Sequence, residues 1–165
     1  KFVLAEGGDG SAMTRTIPMS LITSGEVIVA YGQEAKANSY DAILLDAPCS
    51  GLGSVRRKPE SRWRKTTDQL SGLTKIQGEL LDAAVKSLKP GGYLLYSTCS
   101  PLVIETNTQI KLALEKHPEL ELINANQVLN QISPRLEMPT NRKTAQLWTH
   151  LHATDAMFIA ILRKK

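Results

Sequence analysis

The chain's 165 residues, 42% of them apolar, are enough for one compact domain with a core of its own. No stretch approaches the roughly 20 unbroken apolar residues that cross a bilayer, and Lys1-Phe2-Val3-Leu4-Ala5-Glu6-Gly7 lacks the apolar run and cleavage site of a signal peptide. The expectation is therefore a soluble, cytoplasmic protein with no membrane partner, whose net charge of +4 permits a nucleic-acid partner without requiring one.

Phe2-Val3-Leu4-Ala5 reads as a strand running into Gly7-Gly8-Asp9-Gly10. An opening in mid-strand without an initiator methionine suggests a piece of a longer protein. Residues 11–39 mix turn formers with one further strand candidate, Glu26-Val27-Ile28-Val29-Ala30-Tyr31. The first clear element is 40–46, a short apolar run ending on Asp46 and followed by Ala47-Pro48-Cys49-Ser50-Gly51, as when a buried parallel strand meets a loop. Arg56, Arg57, Lys58, Arg62, Arg64 and Lys65 then crowd around Trp63 with only Glu60 opposing them. That run is either a solvated loop or a nucleic-acid contact in which Trp63 stacks on a base.

From 67 to 88, Leu70, Leu73, Ile76, Leu80, Leu81, Ala84 and Leu88 recur at helical spacing. Lys89-Pro90-Gly91-Gly92 is expected to end that helix and turn the chain. A second buried strand over 93–98 ends at Cys99-Ser100-Pro101. A helix over 105–116, which Glu105 and Asn107 start, stops at His117-Pro118. Residues 120–123 and 156–162 read as strands, and 130–150 as a long connection. The expected fold class is α/β with a largely parallel sheet.

In such sheets ligands gather beyond the carboxyl ends of the strands, and Cys49 and Cys99 both fall there. Neighbouring strands lie about 4.8 Å apart, so two thiols can face one pocket. The other readings are a disulfide, disfavoured inside a cell, and two small buried apolar residues. No histidines cluster near the sulfurs and no metal is expected; His150 and His152 lack matching ligands and read as surface residues. A thiol redox protein would want a Cys-x-x-Cys arrangement, which is absent. Asp46 is either a turn cap or a ligand-facing acid, and Pro48 stiffens the loop while leaving its carbonyls available. Two thiols and an acid suit covalent chemistry on cytosine. A thiolate adding to carbon 6 makes carbon 5 enamine-like and able to accept a methyl group. A carboxyl near nitrogen 3 stabilises the developing charge, and a second thiol can take the carbon-5 proton or help expel the first.

At these residues the chain resembles the Sun/Nol1/Nop2 family of RNA 5-methylcytosine methyltransferases, and within it the bacterial ribosomal small-subunit RNA methyltransferase B group. The resemblance rests on Asp41-Ala42-Ile43-Leu44-Leu45-Asp46-Ala47-Pro48-Cys49-Ser50-Gly51, on Arg56-Arg57-Lys58-Pro59-Glu60 with Arg62-Trp63, and on Gln77-Gly78-Glu79-Leu80-Leu81-Asp82. It continues through Lys89-Pro90-Gly91-Gly92, Tyr96-Ser97-Thr98-Cys99-Ser100-Pro101, Glu105-Thr106-Asn107 and the tail Thr154-Asp155-Ala156-Met157-Phe158, so that it covers most of residues 40–162. It implies a Rossmann-like class I S-adenosylmethionine-dependent methyltransferase fold, incomplete at its N-terminus. Residues 1–165 would be the C-terminal portion of one catalytic domain, with 11–39 as an insertion. It implies S-adenosyl-L-methionine as cofactor and RNA as partner, 16S ribosomal RNA first and transfer RNA as the alternative. Cys99 matches the cysteine that attacks carbon 6 and Cys49 the one required for product release. Asp46 matches an acid at the junction of donor and base, Pro48 lies beside the donor, and Asp9 near its adenine. Arg56, Arg57, Lys58, Arg62 and Trp63 would face the RNA.

The chain departs from the family pattern in three respects. The glycine-rich loop that lets backbone approach the donor is absent, as is the bacterial group's N-terminal RNA-binding domain, and the spacing from Asp9 to Asp46 is long. The chain alone is therefore expected to bind the donor weakly and turn over little, and the uncovered edge of its central strand to invite self-pairing. A function of another class, a non-catalytic RNA-binding or ribosome-assembly module on the same fold, would keep the basic run but have no need of two reactive cysteines.

Overall fold

The computed structural model describes residues 2–6, 27–30, 36–59 and 66–165. The expected turn at Asp9, most of segment 11–39, and Arg62, Trp63, Arg64 and Lys65 lie outside these residues. Among the described residues, β1 (Phe2–Glu6), β2 (Val27–Ala30), β3 (Tyr40–Asp46), β4 (Leu88–Thr98), β5 (Leu120–Ile123), β6 (Ala145–Gln146) and β7 (Phe158–Lys164) form one sheet. Its order is β2-β1-β3-β4-β7-β5, with β6 paired to β7 beside that path. The first four strands run parallel. The expected parallel direction reverses at β7, which is antiparallel to both β4 and β5.

The open central-strand edge that the sequence suggested is not found at β3. β1 pairs along it from Phe2 opposite Ala42 to Glu6 opposite Asp46, so the backbone groups that would recruit a second copy are already used. Dimerisation through that edge loses its basis.

Helix α1 (Thr67–Ser87) opens on a capping box, in which Thr66 Oγ1 accepts the Gln69 N–H and Gln69 Oε1 accepts the Thr66 N–H. Of the stripe its spacing foretells, Leu80, Leu81, Ala84 and Leu88 are buried, Leu70 and Leu73 half-buried and Ile76 exposed, while Gln77 and Val85 are buried in addition. Leu88 leads directly into β4, and Lys89-Pro90-Gly91-Gly92 forms an irregular start to that strand instead of a turn before it. Leu88 pairs with Tyr40, the register then slips so that Tyr93 meets Ala42, and Gly91 takes φ 79°, open to a residue without Cβ. Helix α2 (Asn107–Lys116) follows a 3-10 turn over Val103–Glu105.

Alternation along β7 divides the core. Phe158, Ala160 and Leu162 join Ile43 and Leu45 of β3, Leu94 and Tyr96 of β4, and the buried faces of α1 and α2. Ile159 and Ile161 point the other way, onto Ala125, Leu129, Met138 and Ala145. That second layer holds helix α3 (Ala125–Ile132), which lies partly in the stretch expected to be a connection. Asparagines stitch the layer together. Asn126 Nδ2 donates to the carbonyls of Arg142 and Thr144, and Asn130 exchanges two bonds with the backbone of Met138, so buried peptide groups find partners without a regular element. A short helix, α4 (Thr149–His152), precedes β7. Among the described residues no helix is long and apolar enough to cross a membrane.

Candidate active site

Parallel pairing of β3 with β4 sets Asp46 opposite Ser97, and the Ala47 N–H continues the ladder to the Ser97 carbonyl at 2.9 Å. The two strands therefore release their loops side by side at the carboxyl edge of the sheet. Cys49 and Cys99, 50 residues apart in sequence, end with their sulfurs 3.4 Å from each other, both half-buried. Asp46 is half-buried at the end of β3. The Pro48 carbonyl is engaged by Gln77 Nε2 at 2.8 Å, which leaves one of its two lone pairs.

The thiols do not titrate alike. The hydrogen bond from Cys49 holds Cys99 below its ordinary value, at about 7, against burial and the carboxylates of Asp46 and Asp155, which push it up. Sharing its proton with Cys99, and then burial, push Cys49 up. At neutral pH the pair is thus half-ionised, with the thiolate on Cys99 and the remaining proton on Cys49. The alkylation rate of Cys99 by iodoacetamide is expected to rise with pH through a midpoint of about 7, since only the ionised sulfur reacts. Cys49→Ala removes the donor and moves that midpoint up; the same midpoint in both proteins would refute the coupling.

Two features of the site were not read from the sequence. Gly53, in the 3-10 turn Leu52–Ser54 entered through Gly51 at φ 71°, lies between two backbones. Its N–H donates to the Cys99 carbonyl and its own carbonyl accepts from the Ala156 N–H, each at 2.9 Å. The loop of Cys49 is thereby tied to the loop of Cys99 and to the approach to β7. The second feature is Glu105, expected only to start a helix. It is fully buried, and its carboxylate accepts from Ser50, Ser100 and Gln77.

The basic run is only partly described. Arg56, Arg57 and Lys58 are exposed just past the 3-10 turn. Arg57 forks onto Asp155, its Nε reaching both carboxylate oxygens at 3.2 and 3.0 Å and its Nη2 one of them. Arg62 and Trp63 lie outside the described residues, as does Asp9. His150 and His152 sit on α4, where His152 Nδ1 accepts the Trp148 N–H. Among the described residues no three potential ligands gather to hold a metal. A groove of about 790 Å³ between α1 and α2 has no thiol in its wall.

Residues 15–163 match the family model described as 16S rRNA methyltransferase RsmB/F. The chain is 36% identical over 132 residues to the ribosomal RNA small subunit methyltransferase B of Vibrio cholerae, which covers 79% of this chain and 27% of that protein. Among solved structures it resembles PH0851 with a TM-score of 0.73 and 34% identity, over 84% of this chain and 31% of that one. It resembles NSun6 from Pyrococcus horikoshii, solved with SFG, with a TM-score of 0.60 and 27% identity, over 84% and 34% of the two chains. The chain spans about a quarter of the length of the curated relatives it matches. A family match running through both cysteine loops and all of β3 to β6, together with these backbone likenesses, establishes that the chain belongs to the 16S rRNA methyltransferase RsmB/F family and has the α/β fold of class I S-adenosylmethionine-dependent methyltransferases.

Proposed function

We propose that the protein carrying this chain methylates carbon 5 of a cytosine in RNA, 16S ribosomal RNA being the first substrate class, through a covalent Cys99–cytosine adduct. Residues 1–165 then belong to one catalytic domain with 11–39 as an insertion. The observation that carries the proposal is the pair of unequal thiols in contact at the carboxyl ends of β3 and β4, beside Asp46.

Cys99, ionised near neutral pH, adds to carbon 6, and the displaced π electrons move toward carbon 5 and the ring, where Asp46 steadies nitrogen 3. S-adenosyl-L-methionine, when bound, supplies an electrophilic methyl group to carbon 5. Cys49, its own proton first lost to solvent once Cys99 is bound, then takes the carbon-5 proton as thiolate; the released electron pair restores the 5,6 double bond and expels Cys99 as thiolate. The coupling between the sulfurs supports this order. Cys49 holds its proton chiefly because Cys99 shares it. Once Cys99 is a thioether that restraint is gone, and Cys49 becomes the more acidic thiol when a base is needed.

The residues present fit the reactive end of the donor. Asp46 and Pro48 stand at the strand edge where open α/β sheets hold their ligands, Asp46 half-buried and close enough to bear on Cys99, Pro48 with a carbonyl lone pair left. Asp9, assigned to the adenine end by resemblance, lies outside the described residues. Arg56, Arg57 and Lys58 are exposed on the surface just past the 3-10 turn, where cations would meet phosphates, and Arg57 also pairs with Asp155.

The test uses the full-length protein with labelled methyl donor and unmethylated 16S ribosomal RNA or transfer RNA, the product nucleoside being identified by mass spectrometry. Label on carbon 5 of cytidine in the ribosomal RNA is expected. Label at another atom overturns the mechanism, and label in transfer RNA alone overturns the substrate.

A further inference from the structure

Glu105 is fully buried, and all four of its donors are neutral. Oε1 accepts the Ser50 N–H at 2.7 Å and Gln77 Nε2 at 3.2 Å. Oε2 accepts Ser50 Oγ at 2.6 Å and Ser100 Oγ. Its own carbonyl accepts the Tyr96 hydroxyl at 2.8 Å, which anchors the turn to β4. Taking a carboxyl out of water without a cation beside it is costly, and an apolar residue of similar size serves a core at least as well. What an acid does here that an apolar residue cannot is gather donors from separate loops.

Those donors come from particular places. Ser50 follows Cys49 and Ser100 follows Cys99. The two hydroxyls lie 3.4 Å apart, the same separation as the two sulfurs one residue upstream of each. Gln77, from α1, bonds both the carboxylate and the Pro48 carbonyl just before Cys49, so one clamp grips the Cys49 loop on both sides of its sulfur. The negative charge also bears on Cys49 and pushes it in the protonated direction, which favours ionisation at Cys99 rather than at its partner.

We propose that Glu105 is the positioning residue of the dithiol: its carboxylate binds Ser50 and Ser100 together and so holds the Cys49 and Cys99 sulfurs in contact. The catalytic consequence rests on the function proposed above; the positioning itself does not. Glu105→Gln tests it, because the amide keeps the shape but turns one acceptor into a donor that faces donors.

A reagent that needs two thiols within contact distance, phenylarsine oxide, reports on the sulfurs whether or not methyl transfer occurs. In the full-length protein, Glu105→Gln is expected to weaken arsenical binding roughly tenfold or more and to raise the Cys99 alkylation midpoint by about one pH unit. It is also expected to lower kcat roughly 10- to 100-fold while leaving KM for RNA within about twofold, since misplacement of reacting groups costs the chemical step. A folded Glu105→Gln protein with wild-type arsenical binding and midpoint overturns the proposal. Lost arsenical binding with undiminished methyl transfer upholds the positioning and instead refutes the catalytic reading of the thiols. If Glu105→Gln does not fold, Ser100→Ala decides: it removes one donor and must weaken arsenical binding by a smaller factor, and wild-type binding there overturns the proposal equally.

Discussion

On the proposed mechanism, Cys99→Ala in the full-length protein is expected to abolish methyl transfer, whereas Cys49→Ala is expected to halt turnover with the RNA still attached. The difference follows from where each sulfur stands in the sequence of bonds. Without Cys99 nothing adds to carbon 6, carbon 5 stays unreactive, and the rate is expected to fall at least about 10³-fold, as when other enzymes lose a nucleophile. Without Cys49 addition still occurs, because Cys99 keeps its place at the end of β4, but the proton on carbon 5 has no base to receive it. The adduct then accumulates as a slow band on a denaturing gel that disappears on RNase treatment. Loss of the hydrogen bond from Cys49 also raises the Cys99 thiol, so the band forms more slowly at pH 6 than at pH 8. Free turnover by both single variants would dismiss the two-thiol scheme.

Gly53→Ala is expected to be the most destabilising small substitution in the site. A Cβ at that position stands 2.1 Å from the Ala156 oxygen and 2.8 Å from the carbonyl carbon and oxygen of Cys99. All three atoms are backbone, so no rotamer change relieves the clash and the two hydrogen bonds of Gly53 must break. Overpacking of this kind and two lost bonds sum to roughly 3–5 kcal/mol. Urea unfolding measures it, with Gly72→Ala as a control of opposite sign. The Cβ of Gly72 meets nothing within 4 Å, and it sits inside α1, where alanine favours the helix by up to about 1 kcal/mol. A Gly53→Ala protein as stable as wild type would mean that the bridge between the loops is wrongly described.

The strands β3, β5 and β7 and helix α1 were legible because each writes its burial into a local period or an apolar run. The placement of both cysteines at one sheet edge followed from strand endings alone. Three things were not legible. The direction of β7 is set by which neighbours it meets, and nothing in Phe158-Ile159-Ala160-Ile161-Leu162 encodes it. Helix α3 hid among polar residues: Val128, Leu129 and Ile132 carry its apolar side, and Asn124, whose side chain accepts the Gln127 N–H, was the one signal that could have announced its start. Glu105 was read as a helix opener because its burial depends on Ser50 and Gln77, 55 and 28 residues away. A buried acid looks like any other acid until its donors are known.

The bridge at Gly53 also sets an order of events during synthesis. β3, β4 and both cysteines leave the ribosome well before Ala156 and β7, so the last partner of the Gly53 carbonyl, and the strand that inserts between β4 and β5, arrive after everything they organise. A nascent chain halted before Ala156 therefore has its Cys49 and Cys99 loops joined to each other, through Gly53 and Glu105, but not yet to the approach to β7. The link to β7 is the last tie of these loops to close.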